Sequence, residues 1–149
     1  MNQINNKKIN FKIGAIEKIS KIISDDDIKM YAKITGDNNP LHLNEIFAKK
    51  TRFKGCIAHG LLSAGLISSV LGTKLPGPGS IYLSQELKFL KPVRPGDKIT
   101  AEVKVVYWNP DDNIIKLETR CFNQKLNDVI TGKATMLIEY IGRGVNKNE

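Results

Sequence analysis

Apolar and polar positions alternate along the C-terminal half of the chain. In 80–90, Ile81, Leu83, Leu87 and Phe89 stand among polar neighbours. In 97–108, Ile99, Ala101, Val103, Val105 and Tyr107 alternate with Lys98, Thr100, Glu102 and Lys104. Ile115, Leu117, Thr119 and Cys121 mark a third run, and Ile130, Ala134, Met136, Ile138 and Tyr140 a fourth. A period of two with one apolar face is the pattern of a half-buried strand. Turn chemistry at 92–96, 109–113 and 125–128 separates the runs. Strands joined by short turns predict an antiparallel meander.

The N-terminal half reads differently. Residues 58–72, AHGLLSAGLISSVLG, are uncharged and apolar or small on every side, which predicts a buried helix. Gly60, Ala64, Ser68 and Gly72 place small residues along one stripe of it, open to a close neighbour or ligand. Pro76-Gly77-Pro78-Gly79 then breaks the chain. Ser24-Asp25-Asp26-Asp27 is a helix start: Ser24 can cap, Asp27 stands at the capping-box spacing, and the acids favour the positive helix end. That helix stops at Gly36. Asn44 can cap a second short helix running to Lys49 or Lys50. Between Phe11 and Ile23 the apolar spacing fits a strand and a short helix equally well.

One uncharged helix followed by amphipathic strands defines an α+β domain, a curved antiparallel sheet around a central helix. With 149 residues the chain is read as one domain, 1–149, with a core at about 11–141 and polar ends from residues 1–10 and from Gly142. A chain this long buries a core without disulfides or structural metal. Cys56 and Cys121 lie 65 residues apart in no metal-ligand spacing and read as reduced thiols. No apolar run reaches a membrane span, and no secretory leader stands at the start, which predicts a cytoplasmic protein without a membrane partner. The formal charge of +8, from 23 basic and 15 acidic residues, suits a polyanionic ligand. The basic residues are scattered and carry no nucleic-acid motif, so nucleic acid is not an expected partner.

Phosphate-binding glycine loops and the GxSxG nucleophile elbow are absent. Any imidazole chemistry must use His42 or His59, and a His-rich metal site is excluded. The informative stretch runs from Tyr31 to Gly60. Asp37 and His42 lie five apart across a rigid Asn-Pro turn, so a helix-to-loop transition can aim both into one cleft as a general acid/base pair. The same residues also fit a plain Asx turn at Asp37 and Asn38 beside a surface histidine. Spacing alone leaves both readings open.

The blocks T-G-D-N-N-P-L-H and I-A-H-G-L-L, with L-P-G-P-G-S-I-Y-L and P-V-R-P-G-D-K-I-T-A-E-V downstream, resemble the MaoC-like (R)-specific enoyl-CoA hydratases over about residues 14–140. That resemblance implies the hot-dog fold and reversible syn hydration of trans-2-enoyl-CoA to (R)-3-hydroxyacyl-CoA. It implies Asp37 and His42 as the catalytic dyad, Asn39 as a supporting residue and the Gly60 N–H as donor to the thioester oxygen. A helix start favours such a charge, which fits the role given to Gly60. Ser68 and Leu71 match positions lining the acyl pocket, and plain core packing is their alternative role. His59 is read as structural. No metal and no cofactor is expected, coenzyme A being part of the substrate. The partners implied are an acyl-CoA thioester and a second copy of the chain, as a homodimer or larger dimer-based oligomer. Two alternatives share the fold: a 3-hydroxyacyl-[acyl carrier protein] dehydratase, with the same dyad, and a non-catalytic acyl-CoA-binding module, for which an intact dyad has no use.

Overall fold

The computed structural model describes residues 9–139. Tyr140 and the polar ends, 1–8 and from Gly142, lie outside the described residues. In chain order the elements are β1 (Ile16–Ile22), α1 (Asp25–Thr35), α2 (Pro40–Leu43), α3 (Glu45–Lys49), α4 (Gly60–Thr73), β2 (Ser80–Phe89), β3 (Lys98–Asn109), β4 (Ile114–Phe122) and β5 (Asp128–Ile138). The five strands form one antiparallel sheet in the order β1-β3-β4-β5-β2.

Alternation decides which face of the sheet is inside. Ile99, Ala101, Val103 and Val105 of β3 are buried, as are Ile115, Leu117 and Cys121 of β4 and Ile130, Ala134, Met136 and Ile138 of β5. They meet Ile67, Val70 and Leu71 of α4 in one core. Register breaks at Tyr82/Ser84, Val105/Tyr107 and Cys121/Phe122 bend the strands, as bulges do, and help the sheet curve over the helix.

The meander expected from the short turns holds for β3, β4 and β5 but not for β2. That strand pairs with β5, at the far edge from β1, rather than with its successor β3. The segment after it makes the crossing. Leu90 N–H donates to Val129 O, Ala58 N–H donates to Val93 O, and Ile23 N–H donates to Asp97 O. Residues 90–97 are thereby tied to β5, to the approach to α4 and to the end of β1. The ambiguous stretch before Ser24 contains a strand. Its apolar periodicity is weak, and Ile16 and Ile22 are exposed. What makes it β is the free edge of β3, against which Ile19 pairs with Ala101.

The α4 helix is less enclosed than its composition predicts. Ser63, Ile67, Val70 and Leu71 face the core, while Leu61, Gly65, Ser68 and Gly72 are exposed. Five strands cover one side of the helix and leave the other open.

Candidate active site

The site is built where α1 ends. Ser24 and Asp27 form the reciprocal capping box, and Gly36 closes the helix at φ +78°, a left-handed position that glycine adopts without strain. Thr35 Oγ1 donates to Tyr31 O at 2.8 Å and accepts the Asp37 N–H at 3.2 Å. One oxygen of Asp37, Oδ1, accepts the Asn39 N–H at 3.2 Å. Asn39 caps α2 by accepting the Leu41 N–H at 3.1 Å, with Pro40 in the first helical position. Side-chain-to-backbone bonds therefore link Thr35, Asp37, Asn39 and Leu41 through the turn, and α2 carries His42 next to it.

His42 Nδ1 lies 2.7 Å from Ile57 O. A carbonyl can only accept, so Nδ1 carries the hydrogen in the neutral ring and Nε2 keeps a free lone pair. His59, the residue before α4, is buried, and its Nε2 lies 3.0 Å from Asp37 O. By the same reasoning its lone pair is on Nδ1, which is buried without a hydrogen-bond partner. The two imidazoles stack at 3.9 Å between centroids, and Tyr31 packs on the other ring of the pair, His59, at 4.6 Å. A carboxylate oxygen of Asp37 and one ring nitrogen from each histidine lie within 4.8 Å of one another. Residues 37, 42 and 59 thus converge, although 17 positions separate the two histidines.

These groups open on a cavity of about 400 Å³. Asp37, His42, His59 and Gly60 share it with Tyr31, Ser63, Phe89 and Ile130, and Arg52 and Lys91 are its basic lining residues. Gly60 opens α4, where the first N–H groups have no intrahelical acceptor, and His59 gives no side-chain cap to that helix end. The Gly60 N–H and the helix dipole therefore face a cavity that also holds the carboxylate and the imidazole. Glycine here also leaves room for a side chain from a distant strand. A Cβ at position 60 would lie 2.5 Å from the Phe89 ring, so the ring of β2 takes the space a side chain would need.

Ser68 and Leu71 lie apart from this cavity. The helix lines it only from Gly60 to Ser63. At 1.5 Å per residue, Ser68 and Leu71 lie about 12 and 16 Å along the axis from Gly60. Ser68 is on the open face, and Leu71 is fully buried in the core. A second cavity, of about 500 Å³, lies on the other side of His42. Asp25, Lys29, Glu45, Cys56 and Arg94 line it, so it carries both signs of charge but contains neither Asp37 nor Gly60. Glu45 accepts the Cys56 N–H, which holds its carboxyl below the usual carboxylate range. Burial raises the Cys56 thiol, and Glu45 adds to that effect, so the thiol is not activated.

Tyr31, Ser63, Phe89 and Ile130 belong to the site without having been singled out by motif. Tyr31 follows Ile28 on the apolar face of α1, a signal consistent with its position. Phe89 and Ile130 arrive from distant strands that pair with each other, and no local pattern marks them.

A curved antiparallel sheet over a helix, with a carboxylate–imidazole pair beside the helix start, defines a site suited to acid–base chemistry. Comparison with known proteins makes the class specific. The family profile described as MaoC like domain matches residues 9–124, and the chain belongs to that family. It is 47% identical over 127 residues to the (R)-specific enoyl-CoA hydratase of Rhodospirillum rubrum, covering 85% of this chain and 88% of that protein. It is 49% identical over 110 residues to the 3-hydroxybutyryl-CoA dehydratase of Methylorubrum extorquens, covering 74% of this chain and 70% of that protein. Its fold is similar to the solved (R)-hydratase from A. caviae involved in PHA biosynthesis, with a TM-score of 0.83 and 41% identity over 87% of this chain and 98% of that one.

Proposed function

We propose that the protein is an (R)-specific enoyl-CoA hydratase, a hydro-lyase that adds water reversibly and syn to trans-2-enoyl-CoA. The observation that carries this reading is the meeting of Asp37, His42 and the Gly60 helix start in one cavity, with the His42 tautomer fixed so that Nε2 can accept a proton. Water held between the Asp37 carboxylate and His42 Nε2 gives its oxygen to C3. One proton of that water passes by way of the pair to C2 on the same face. The Gly60 N–H donates to the thioester oxygen as enolate charge builds, and that charge lies at the positive end of α4. Asn39 supports the pair by fixing the turn between them. Arg52 and Lys91 suit the phosphates of coenzyme A.

A crotonyl chain fits within the cavity against Ser63 and Ile130, and longer acyl chains run on along α4 toward Ser68, with Leu71 beneath. This places the end of a long acyl chain on the open face of the helix, where a second copy of the chain completes the wall. A homodimer is supported by that open face and by β2, an edge strand with Ile81, Leu83 and Phe89 exposed. Among the described residues no helix is long and apolar enough to cross a membrane. We assign the protein to the cytoplasm, where Cys56 and Cys121, both free, stay reduced.

The test is loss of the enoyl-thioester absorbance with crotonyl-CoA, followed by the chirality of the product. Rapid loss with an (R)-3-hydroxy product supports the reading, and an (S) product or no turnover overturns it. The basic cavity lining suits an acidic carrier protein as well. Faster turnover of the carrier-protein thioester than of crotonyl-CoA would assign the chain to the dehydratases of fatty-acid synthesis.

A further inference from the structure

Gly60 differs from the other glycines of its helix in what stands where a side chain would be. At Gly65 and Gly72, farther along α4, a Cβ would meet nothing within 4 Å. At Gly60 the nearest atoms to that position all belong to the Phe89 ring: Cε1 at 2.5 Å, Cδ1 at 2.7 Å and Cζ at 3.3 Å. A Cβ stands about 2.5 Å from its own backbone nitrogen, so the nearest ring carbon lies within about 5 Å of the Gly60 nitrogen. Backbone bonds hold the ring there. Phe89 pairs with Ile130 at the end of β2, and the next residue, Leu90, donates its N–H to Val129 O. Phe89 is nevertheless 55% exposed, and it lines the cavity together with Gly60, His42 and Ile130. One side of the ring is packed on the helix start, and the rest is open to what the cavity binds. The Gly60 N–H beside it has no acceptor within the helix.

We propose that Phe89 is a positioning residue for the hydration: its ring, seated on the bare Cα of Gly60, confines the thioester to the Gly60 N–H and keeps water from competing for that hydrogen bond. A hydrogen bond to developing negative charge strengthens as the local dielectric falls. Water at the helix start would raise the dielectric and would itself accept the Gly60 N–H. With a side chain at position 60 the ring could not come so close. With glycine and no ring, the Cα would leave a gap beside the donor, open to water. Gly60 and Phe89 therefore act as a pair, although one opens α4 and the other ends β2. The ring acts on the reaction through the donor, whose bond tightens as enolate charge builds, so its effect falls on the rate more than on substrate affinity. The proposal rests on the hydratase reading, with the Gly60 N–H as donor to the thioester oxygen.

The test follows the carbonyl itself. Asp37→Asn protein is expected to bind crotonyl-CoA and hydrate it too slowly to consume it. In that protein the infrared band of an isotope-labelled thioester carbonyl should move to lower frequency on binding, because a donated hydrogen bond weakens the C=O bond. Adding Phe89→Ala should return the band most of the way to its position in water. Phe89→Leu, which keeps apolar bulk over the Cα, should give an intermediate shift. With Asp37 intact, Phe89→Ala should lower kcat for crotonyl-CoA by ~10-fold with little change in KM, a smaller loss than the ~100-fold or more that follows removal of an oxyanion donor outright. Circular dichroism checks that each variant is folded, and Phe89→Val replaces Phe89→Ala if that variant is not. A band unmoved by Phe89→Ala overturns the proposal. So does a rise in KM with kcat unchanged, which would make the ring a simple wall, or a Leu variant as impaired as the Ala variant. A second arm does not depend on the hydratase reading. Gly60→Ala should lower the thermal transition of the wild type and cost little in the Phe89→Ala background, and equal costs in the two backgrounds would overturn the pairing. A chain that does not hydrate crotonyl-CoA overturns the hydratase reading and this proposal with it, whereas full turnover with an unmoved band overturns this proposal alone.

Discussion

Asp37 and His42 lie close together because a few local bonds leave the chain no alternative, and their neighbours separate chemistry from support. Asp37→Asn and His42→Gln remove a proton-transfer group without emptying the core, since Asp37 is exposed and His42 is half-buried. Each is expected to lower kcat by ~100-fold or more in the crotonyl-CoA assay, with little change in the thermal transition. Near-normal turnover in either variant would remove the dyad assignment. His59 stands in contrast: its ring bonds to the Asp37 backbone and stacks on His42. His59→Gln should change stability or KM while both limbs of the pH–rate profile survive. Loss of a limb in that variant alone would make His59 the proton-transfer residue. At this scale the spacing of Asp37 and His42 across Pro40 leaves a paired and an unpaired reading open, and the family resemblance is what points to the pair. Neither reveals the His59–Asp37 bond, which spans 22 residues and depends on how α4 docks.

Elements whose ends are set by local chemistry were legible, and those set by pairing were not. The α1 boundaries follow from Ser24, Asp27 and Gly36 alone. The partner of β2 does not, because nothing in 80–90 says which edge of the sheet is free. Two predictions belong here. Ser24→Ala removes the acceptor for the Asp27 N–H and should cost about 1 kcal/mol in denaturant unfolding. The backbone bond from Ser24 holds the Asp27 carboxyl below its ordinary range. Folding lowers that pKa, so between the lowered and ordinary values the unfolded chain binds more protons. The contribution of the cap is complete above the ordinary carboxylate pKa and is lost as pH falls through the lowered one. Ser24→Ala keeps that backbone donor, so the acid-sensitive part of the cap is read in Asp27→Ala, whose penalty should shrink as pH falls; an unchanged penalty there would disconnect the cap from Asp27 ionisation. Gly132 of β5 is the second case. A Cβ there would lie 1.9 Å from Glu86 O in the backbone of β2, which a side-chain rotation cannot relieve. Gly132→Ala should separate the β5–β2 ladder and lower the thermal transition markedly, whereas Gly65→Ala, which meets nothing within 4 Å, should not.

At the scale of the whole molecule, the open face of α4 and the free edge of β2 are two parts of one problem. A single chain buries one side of an apolar helix and leaves Leu61 and Ser68 in water. One of its two edge strands, the ten-residue β2, leaves the backbone groups of every second residue unpaired on its outer side. An edge of that length carrying exposed Ile81, Leu83 and Phe89 invites another strand, and the free edge of an identical chain is the simplest partner. The sequence shows the uncharged helix but not the uncovered side, because composition does not count the strands available to cover it. In sedimentation equilibrium the wild type should have twice the 16.6 kDa chain mass. Leu83→Lys places a charge at an exposed position of β2, where it costs the isolated fold little and opposes pairing. That variant should sediment as a folded monomer. Its turnover of long-chain substrates should fall even though Asp37, His42 and Gly60 are untouched, because an acyl end that reaches Ser68 loses its second wall. The loss should be larger for a twelve-carbon enoyl-CoA than for crotonyl-CoA, since only the longer chain has apolar surface to bury there, about 0.8 kcal/mol for each CH₂. A monomeric wild type with full activity would show that one chain suffices. A monomeric variant with unchanged chain-length preference would place the acyl end inside the single-chain cavity instead, against Ser63 and Ile130.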